Sequence, residues 1–600
     1  MNSATMSPAR VREVPLGAAD VEMQRRADGS ILLRSPHALS AHPQKVTERL
    51  VHWARESPAR TFLAQRDAEG GWRNLTYGDA YRRVRRIGQA LLDRGLSQDR
   101  PLAILSDNDL EHALLALACM HVGVAYVPVS SAYSLVSTDH AKLKHVLGFL
   151  TPGLVYASDG ARFAKAIAAA VPAGTEVLTG SEFASLERAN DSSRVDQAHA
   201  AVGPDTIAKF LLTSGSTGQP KAVINTQRML CSNQQMLTQS LPSLRKAPPV
   251  LVDWLPWNHT AGSNHNFGIV LNHGGTLHID EGKPVPGLIE KTVRNLREVG
   301  PTIYFNVPRG YEALLPFLRV DAQLRKTFFS RLELLQYAAA VLPQPIWKAY
   351  EDLAVQTCGE RILWITGYGA TETAPAAMFT NRGAARAGTV GLPVDGVEMK
   401  LAPVGDKLEV RFRGPSITPG YWRQPELTQA AFDEEGYYRT SDAMRFVQAA
   451  DPRQGFEFDG RITEDFKLTT GTWVSVGPLR ARINAACSPL VQDIVITGHD
   501  RAVLGALVFP NLVVCRDLGK EALRARLQPI FERLARESTG SSTRVARALI
   551  MEVPPSIDAG EVTDKGSINQ GAVLKSRAGM VERLYAEQPG PDIIQAAASP

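Results

Sequence analysis

The stretch Thr213-Ser214-Gly215-Ser216-Thr217-Gly218-Gln219-Pro220-Lys221 gathers hydroxyls, two glycines and a lysine into nine consecutive residues. A loop of this kind can wrap a polyphosphate. Its glycines let backbone N–H groups come close, its hydroxyls donate hydrogen bonds, and the lysine supplies charge. The apolar run 207–212 predicts a buried strand entering the loop, and Ala222-Val223-Ile224 predicts a strand leaving it. A Walker-type loop has four residues between its glycines, a Ser or Thr after the lysine, and then a helix. Here two residues separate Gly215 from Gly218, Ala222 follows Lys221, and a β-type run follows that. The loop is therefore a phosphate cradle of another class. A bare Gly/Ser hairpin explains the composition less well, because it needs neither the lysine nor the strands.

Other residue clusters with chemical potential follow downstream. Trp254-Leu255-Pro256-Trp257-Asn258-His259-Thr260-Ala261-Gly262 comes first, and Gly367-Tyr368-Gly369-Ala370-Thr371-Glu372-Thr373 follows a predicted strand. Gly388-Thr389-Val390-Gly391-Leu392-Pro393 and Tyr438-Arg439-Thr440-Ser441-Asp442 come next. Gly460-Arg461, Lys467, Gly471 and Val562-Thr563-Asp564-Lys565 complete the set.

The elements that must position these residues alternate strand and helix. Thr76 can cap a helix whose apolar residues Tyr77, Tyr81, Val84, Ile87 and Leu91 keep helical spacing. Strands at 102–105 and 125–129 flank a helix at 110–122, and further strands are predicted at 251–256, 302–307 and 362–366. This predicts an α/β protein with mostly parallel sheets. From 411 to 442 the pattern becomes β-rich and turn-rich, and after 461 it becomes a small α+β unit. Six hundred residues exceed one hydrophobic core. The expected division is an N-terminal domain over 1–460, a C-terminal domain over 461–585 and a disordered tail over 586–600. About 1–44 of the first domain is expected as an irregular lead-in.

The composition is 44% hydrophobic and 21% charged, with a net charge of only +5 and no long basic block, so no nucleic-acid partner is expected. Five scattered cysteines without a CxxC pair fit a reducing cytosol and no structural metal. The absence of a transmembrane-length run and of an apolar signal core predicts a cytoplasmic protein without a membrane partner. Oligomeric state is not legible.

Taken together and in this order, the motifs resemble the adenylate-forming superfamily of acyl- and aryl-CoA synthetases, luciferases and peptide-synthetase adenylation domains, over roughly residues 45–580. The resemblance implies a large N-terminal domain, a small mobile C-terminal domain and a cleft between them. It implies that a carboxylate attacks the α-phosphorus of ATP, giving an acyl-adenylate and pyrophosphate, and that the acyl group then passes to the thiol of coenzyme A. Preorganised positive charge and donors must offset the repulsion between the two anions.

By the resemblance, Thr213, Ser214, Gly215, Ser216, Thr217, Gly218 and Lys221 hold the terminal phosphates, and Thr371 binds the α-phosphate. Glu372, with Thr217 nearby, holds Mg²⁺, which suits oxygen ligands. Tyr368 stacks on adenine beside the backbone of Ala339 and Ala340, while Asp442 meets the ribose and Arg461 the ribose or a phosphate. Lys565 bridges carboxylate and phosphate, with Lys575 as the second candidate, and His259 gates the acyl pocket from the thiol path. Thr463 falls at the hinge, Lys467 and Gly471 line the pantetheine channel, and Trp473 is either a wall or a core residue.

The acid pocket is expected among His259, Ala261, Tyr304, Phe305, Ala338, Gly367 and Pro375, with Trp257 as a further aromatic wall and Asn306 and 264–266 as polar partners. Small residues leave a slot and aromatic walls suit a flat ring. The stretches 222–230, 253–267 and 563–570 resemble bacterial feruloyl-CoA synthetases, which implies ferulate or a related hydroxycinnamate as the small-molecule aromatic acid. The alternatives are another aryl or fatty acid as substrate, a carrier-protein acceptor in place of free coenzyme A, and, last, a non-catalytic nucleotide-binding protein, against which the intact Thr371-Glu372 pair, Asp442 and the loop argue. No carrier or reductase segment follows, which favours the free thiol.

Overall fold

The computed structural model describes residues 9–214, 219–380, 387–563 and 566–596. A six-stranded sheet carries the two strands that flank residues 215–218. Its order is Pro220–Thr226, Ile207–Ser214, Tyr126–Val129, Leu102–Leu105, Leu154–Ala157 and Glu176–Thr179. Every residue of Leu102–Leu105, Tyr126–Val129 and Leu154–Ala157 is buried. Strands covered by helices on both faces read as continuous apolar runs for this reason, and they pair in parallel here. The helix Tyr77–Asp93 starts where Thr76 accepts from the Asp79 N–H, and Leu110–Val122 starts on Asp109 and stops at the left-handed Gly123.

An eleven-stranded mixed sheet carries the downstream motifs. Ile303–Asn306, Leu334–Tyr337 and Leu363–Gly369 pair in parallel, and the remaining pairs are antiparallel. Two expectations are corrected at the ends of the chain. Within the supposed lead-in, Glu22–Arg25 and Ile31–Arg34 form a hairpin that adds to this sheet beside Glu398–Val404. Ile31 and Leu33 are buried there, so a pair of inward apolar side chains fixes a segment too short to show periodicity. The supposed tail contributes Ile593–Gln595, paired with Val545–Ile550, with Ile593 and Ile594 buried.

The smaller domain closes its own core around Phe466, Ile483, Ile494, Leu507, Phe531 and Leu549. Among the described residues it meets the larger one at two places. Lys407 pairs with Asp465 and donates to the Asp459 carbonyl. Further away, Thr138 donates to Asp558 through its N–H at 3.0 Å and its hydroxyl at 2.8 Å, and the Lys142 ammonium donates to the Ile557 carbonyl at 2.6 Å. Ile557 is buried among Leu143, Phe210 and other residues of the larger domain. No helix of the described residues is long and apolar enough to cross a membrane.

Candidate active site

The strands Ile207–Ser214 and Pro220–Thr226 pair antiparallel and set Thr213 directly opposite Lys221. Gly215, Ser216, Thr217 and Gly218, assigned to the phosphate loop, lie outside the described residues. The Thr213 hydroxyl is buried and has no partner among the described residues. Lys221 donates to the Tyr421 hydroxyl at 2.6 Å and its ammonium lies 3.6 Å from Glu372 Oε1. Tyr421 in turn donates to Glu372 Oε1 at 3.0 Å. Burial pulls the Lys221 ammonium below its ordinary value while Glu372 pulls it back.

Thr371 and Glu372 sit in the short turn Thr371–Thr373 after the strand Leu363–Gly369, and both are buried. The turn is tight because a Cβ on Gly369 would stand 1.6 Å from the Pro375 carbonyl oxygen. The Thr418 N–H donates to the Glu372 carbonyl at 2.8 Å and ties the turn to the segment that brings in Tyr421.

Tyr368, Asp442 and Arg461 come together. The Tyr368 hydroxyl donates to Asp442 Oδ2 at 2.6 Å and Arg461 Nε donates to Oδ1 at 3.3 Å. Burial raises the Asp442 carboxyl and Arg461 opposes the rise. Ala338 is half-buried, and Ala339 and Ala340 are exposed in the bend after Leu334–Tyr337.

His259 starts a wide helical turn over Ala261–Asn266, with its ring nitrogen Nε2 3.4 Å from Asn258 Nδ2. Ala261 is half-buried. On this turn His265 faces Phe305 at 4.7 Å between ring centroids and Gln336 Nε2 at 3.0 Å, and burial lowers its pKa to about 4, so the ring is neutral. Asp253 is also buried, and desolvation pushes its carboxyl up to about 7. Two expected pocket walls point elsewhere. Strand alternation turns Tyr304 and Asn306 to the face opposite Phe305, where Tyr304 packs on Tyr311 and Phe328 and its hydroxyl accepts from Asn306. Trp257 packs edge-on against His112 and Phe267. A Cβ on Gly367 would meet the Met378 carbonyl oxygen at 2.5 Å, and Pro375 is half-buried nearby.

In the smaller domain, Phe466–Lys467 pairs with Trp473–Val474 around a turn in which Gly471 has φ +80°. Lys467 is exposed over the Trp473 ring, and Trp473 is 45% exposed, so it is not a core residue. Thr463 is exposed in the turn that closes with Glu464 N–H on the Arg461 carbonyl. Lys565 and Asp564 lie outside the described residues, and Lys575 is exposed on the helix Gln570–Ser576. The bridge Val562 to Ile568 flanks that position. Sequence reasoning missed Tyr421, Gln336 and Asp253, which sit in ordinary local patterns. It also passed over Lys209, whose charge inside the apolar run 207–212 was a visible signal.

Among the described residues no group of three or more His, Cys, Asp or Glu could hold a metal ion alone. The buried Glu372 carboxylate beside the loop suits a cation that arrives with a nucleotide and takes most of its ligands from phosphate and water.

Residues 50–422 match the AMP-binding enzyme family and residues 464–589 match its AMP-binding enzyme C-terminal domain. The chain belongs to the AMP-binding enzyme family. It is 24% identical over 572 residues to a carboxylic acid reductase of Mycobacterium marinum, covering 86% of this chain and 46% of that protein. It is 27% identical over 419 residues to a feruloyl-CoA synthase of Amycolatopsis sp, covering 66% of this chain and 78% of that one. The fold matches the A domain of a carboxylic acid reductase from Segniliparus rugosus, solved with AMP and a co-purified carboxylic acid. That match has a TM-score of 0.71 at 20% identity and covers 91% of this chain and 94% of that one. The chain spans about half the length of the Mycobacterium marinum relative.

Proposed function

We propose that this protein is an ATP-dependent acid–thiol ligase that activates an aromatic carboxylic acid as its acyl-adenylate and transfers the acyl group to coenzyme A. The observation that carries the reading is the contact between Lys221, Tyr421 and Glu372, with Thr371 next in the chain and the unpartnered Thr213 hydroxyl across the strand pair. This groups a cation, hydroxyl donors and a carboxylate at the mouth of a phosphate loop.

In the first half-reaction a carboxylate oxygen of the acid bonds to the α-phosphorus and the bond to the pyrophosphate oxygen breaks. Lys221 and the loop take the charge of the leaving pyrophosphate, Thr371 donates to the α-phosphate, and Lys565 draws the two anions together. Asp442 accepts from the ribose hydroxyls, and Tyr368 stacks on the base. Glu372, with Thr217, would hold Mg²⁺, which would supply charge neutralisation at the phosphates. In the second half-reaction the thiolate of coenzyme A attacks the acyl carbonyl and AMP leaves. Lys467 and Gly471 line its approach, after the domain that begins near residue 461 has turned about Thr463. His259 separates the two paths. The enzyme acts in the cytoplasm, which its free cysteines fit.

For the acid, the Phe305 ring against His265, with Gln336 at the same histidine, supports an aromatic acid, read here as a hydroxycinnamate such as ferulate. Likeness to a feruloyl-CoA synthase supports it further. A carrier-protein thiol as acceptor is the second reading, favoured by likeness to a long-chain-fatty-acid–acyl-carrier-protein ligase of Arabidopsis thaliana, 28% identical over 234 residues. Pyrophosphate release across a panel of aryl, arylpropenoic and fatty acids, with and without coenzyme A, tests both. Turnover with fatty acids and none with hydroxycinnamates refutes the substrate. Release without acceleration by coenzyme A refutes the acceptor.

A further inference from the structure

Four residues before the phosphate loop begins, the strand Ile207–Ser214 turns Lys209 into the protein, where it is 2% exposed. Its ammonium donates to Ser263 Oγ at 3.0 Å and lies 5.7 Å from the centroid of Tyr126. Desolvation alone acts on its charge, so no neighbouring carboxylate compensates it among the described residues. A buried ammonium without a counter-charge is expensive and calls for an anion.

Lys209 borders a cavity of about 50 Å³ between the helices Leu110–Val122, Gln227–Ser240 and Phe267–His273. Most of the wall is apolar, with Ala116, Met120, Leu230 and Phe267 prominent. Two polar atoms of the lining are buried and without a partner among the described residues: the Trp257 indole Nε1, a donor, and Gln234 Oε1, an acceptor. Half-buried Pro43, Arg49 and Asn272 line the same cavity and give it an outlet to the surface. Thr371, Tyr368, Asp442 and His259 are absent from its lining, which shares with the site described above only Trp257 and the turn residues Ser263 and Asn264.

We propose that this cavity is a second small-molecule site and takes a short-chain aliphatic monocarboxylate of acetate to propionate size. The carboxylate accepts from the Lys209 ammonium and the Trp257 N–H, and the alkyl end lies against the apolar wall. A volume of about 50 Å³ is filled by a few water-sized groups, which excludes an unaltered fit for an aromatic acid. A dianion would set its second charge against Gln234 Oε1 and apolar carbon. The site also touches the active centre, because the Ser263 hydroxyl that receives Lys209 donates to the His259 carbonyl at 2.9 Å.

The charge at this site is titratable in the neutral range. Burial lowers the Lys209 pKa to about 7. Of the other groups facing the cavity, His112 is held at about 4 and is neutral, the Tyr126 phenol and Cys231 thiol are pushed up by burial, and Arg49 stays charged.

Equilibrium dialysis of the full chain against radiolabelled propionate tests the proposal. One equivalent binds at pH 6. At pH 8 the charged share of Lys209 has fallen from about nine-tenths to about one-tenth, so affinity falls roughly tenfold. Lys209→Met weakens binding by about tenfold or more. Ala116→Leu, which fills the cavity and keeps Lys209, abolishes it and covers the case of a misfolded Lys209 variant. Thr371→Val, in the cleft, leaves it intact. The proposal is overturned by the absence of saturable binding at pH 6 or by equal affinity at pH 6 and 8. Binding that survives both cavity variants, or that disappears with Thr371→Val, overturns it as well.

Discussion

Asp558→Ala separates the two proposed half-reactions. Asp558 belongs to the smaller domain and accepts twice from Thr138 of the larger one, at 3.0 and 2.8 Å, next to the Lys142 bond to Ile557. The hairpin carrying position 565 begins four residues further on, at Val562. Asp558 is therefore a positioning residue: it fixes the arrangement of domains in which Val562 packs against the cluster that holds Leu212 and Ala222. Hydrogen bonds to a charged acceptor are worth ~1.5–3 kcal/mol when buried. Thr138 is exposed and Asp558 is half-exposed, so screening reduces each bond to about 0.5–1 kcal/mol. Losing both costs about 1–2 kcal/mol, or roughly 5–30-fold in the population of that arrangement. ATP–pyrophosphate exchange with the acid should fall by that factor. Transfer to coenzyme A from preformed acyl-adenylate should be unchanged or faster, because in the proposed mechanism it follows a turn of the smaller domain away from this arrangement. Equal losses in both assays refute the positioning role, whereas failure of both assays in the wild type refutes the proposed function instead.

Three further outcomes follow from the geometry. Tyr421→Phe removes the hydroxyl between Lys221 and Glu372 and should raise the KM for ATP by about 3–10-fold, the worth of one partly buried hydrogen bond, in steady-state assays. Gly369→Ala forces a Cβ toward the Pro375 carbonyl and displaces the Thr371 turn, so adenylation should fall on the order of 100-fold with far-UV circular dichroism unchanged. Glu561 is bound by Arg577, Ser576 and the Ser556 N–H, which lower its pKa from 4.5 to about 2 against the cost of burial. Its folded value is the depressed one, so its stabilisation is complete above about pH 4.5 and is lost as pH falls toward 2. Glu561→Gln should flatten the acid limb of the unfolding curve of the smaller domain followed by urea titration.

Much of the fold was legible because buried parallel strands and amphipathic helices leave long, regular signals. Leu102–Leu105 and Tyr77–Asp93 are examples. The Glu22–Arg25 hairpin and the Ile593–Gln595 strand left none, since three or four residues take their conformation from the sheet that receives them. Site residues carried by motif were readable as types, and the structure gathers Tyr368, Asp442 and Arg461, and likewise Lys221 and Glu372. The facing of single side chains was less readable. Tyr304 and Phe305 are adjacent and both aromatic, yet only Phe305 meets His265, because a strand turns neighbours to opposite faces and the composition does not say which face His265 takes.

Tyr421 changes what Lys221 can be said to do. Read from the loop alone, Lys221 is a cation waiting for phosphate. In the structure its ammonium already has a phenol and a carboxylate, and burial weakens its charge while Glu372 restores it. A polyphosphate that enters must therefore compete with Glu372 for the lysine, and a divalent cation that enters with it competes with the lysine for Glu372. Each incoming group supplies the partner that the other takes away, so neither buried charge is left alone at any stage. On this argument Glu372→Gln should weaken nucleotide binding in the presence of Mg²⁺ and strengthen it in its absence. A carboxylate that served only as a metal ligand would show the first effect without the second.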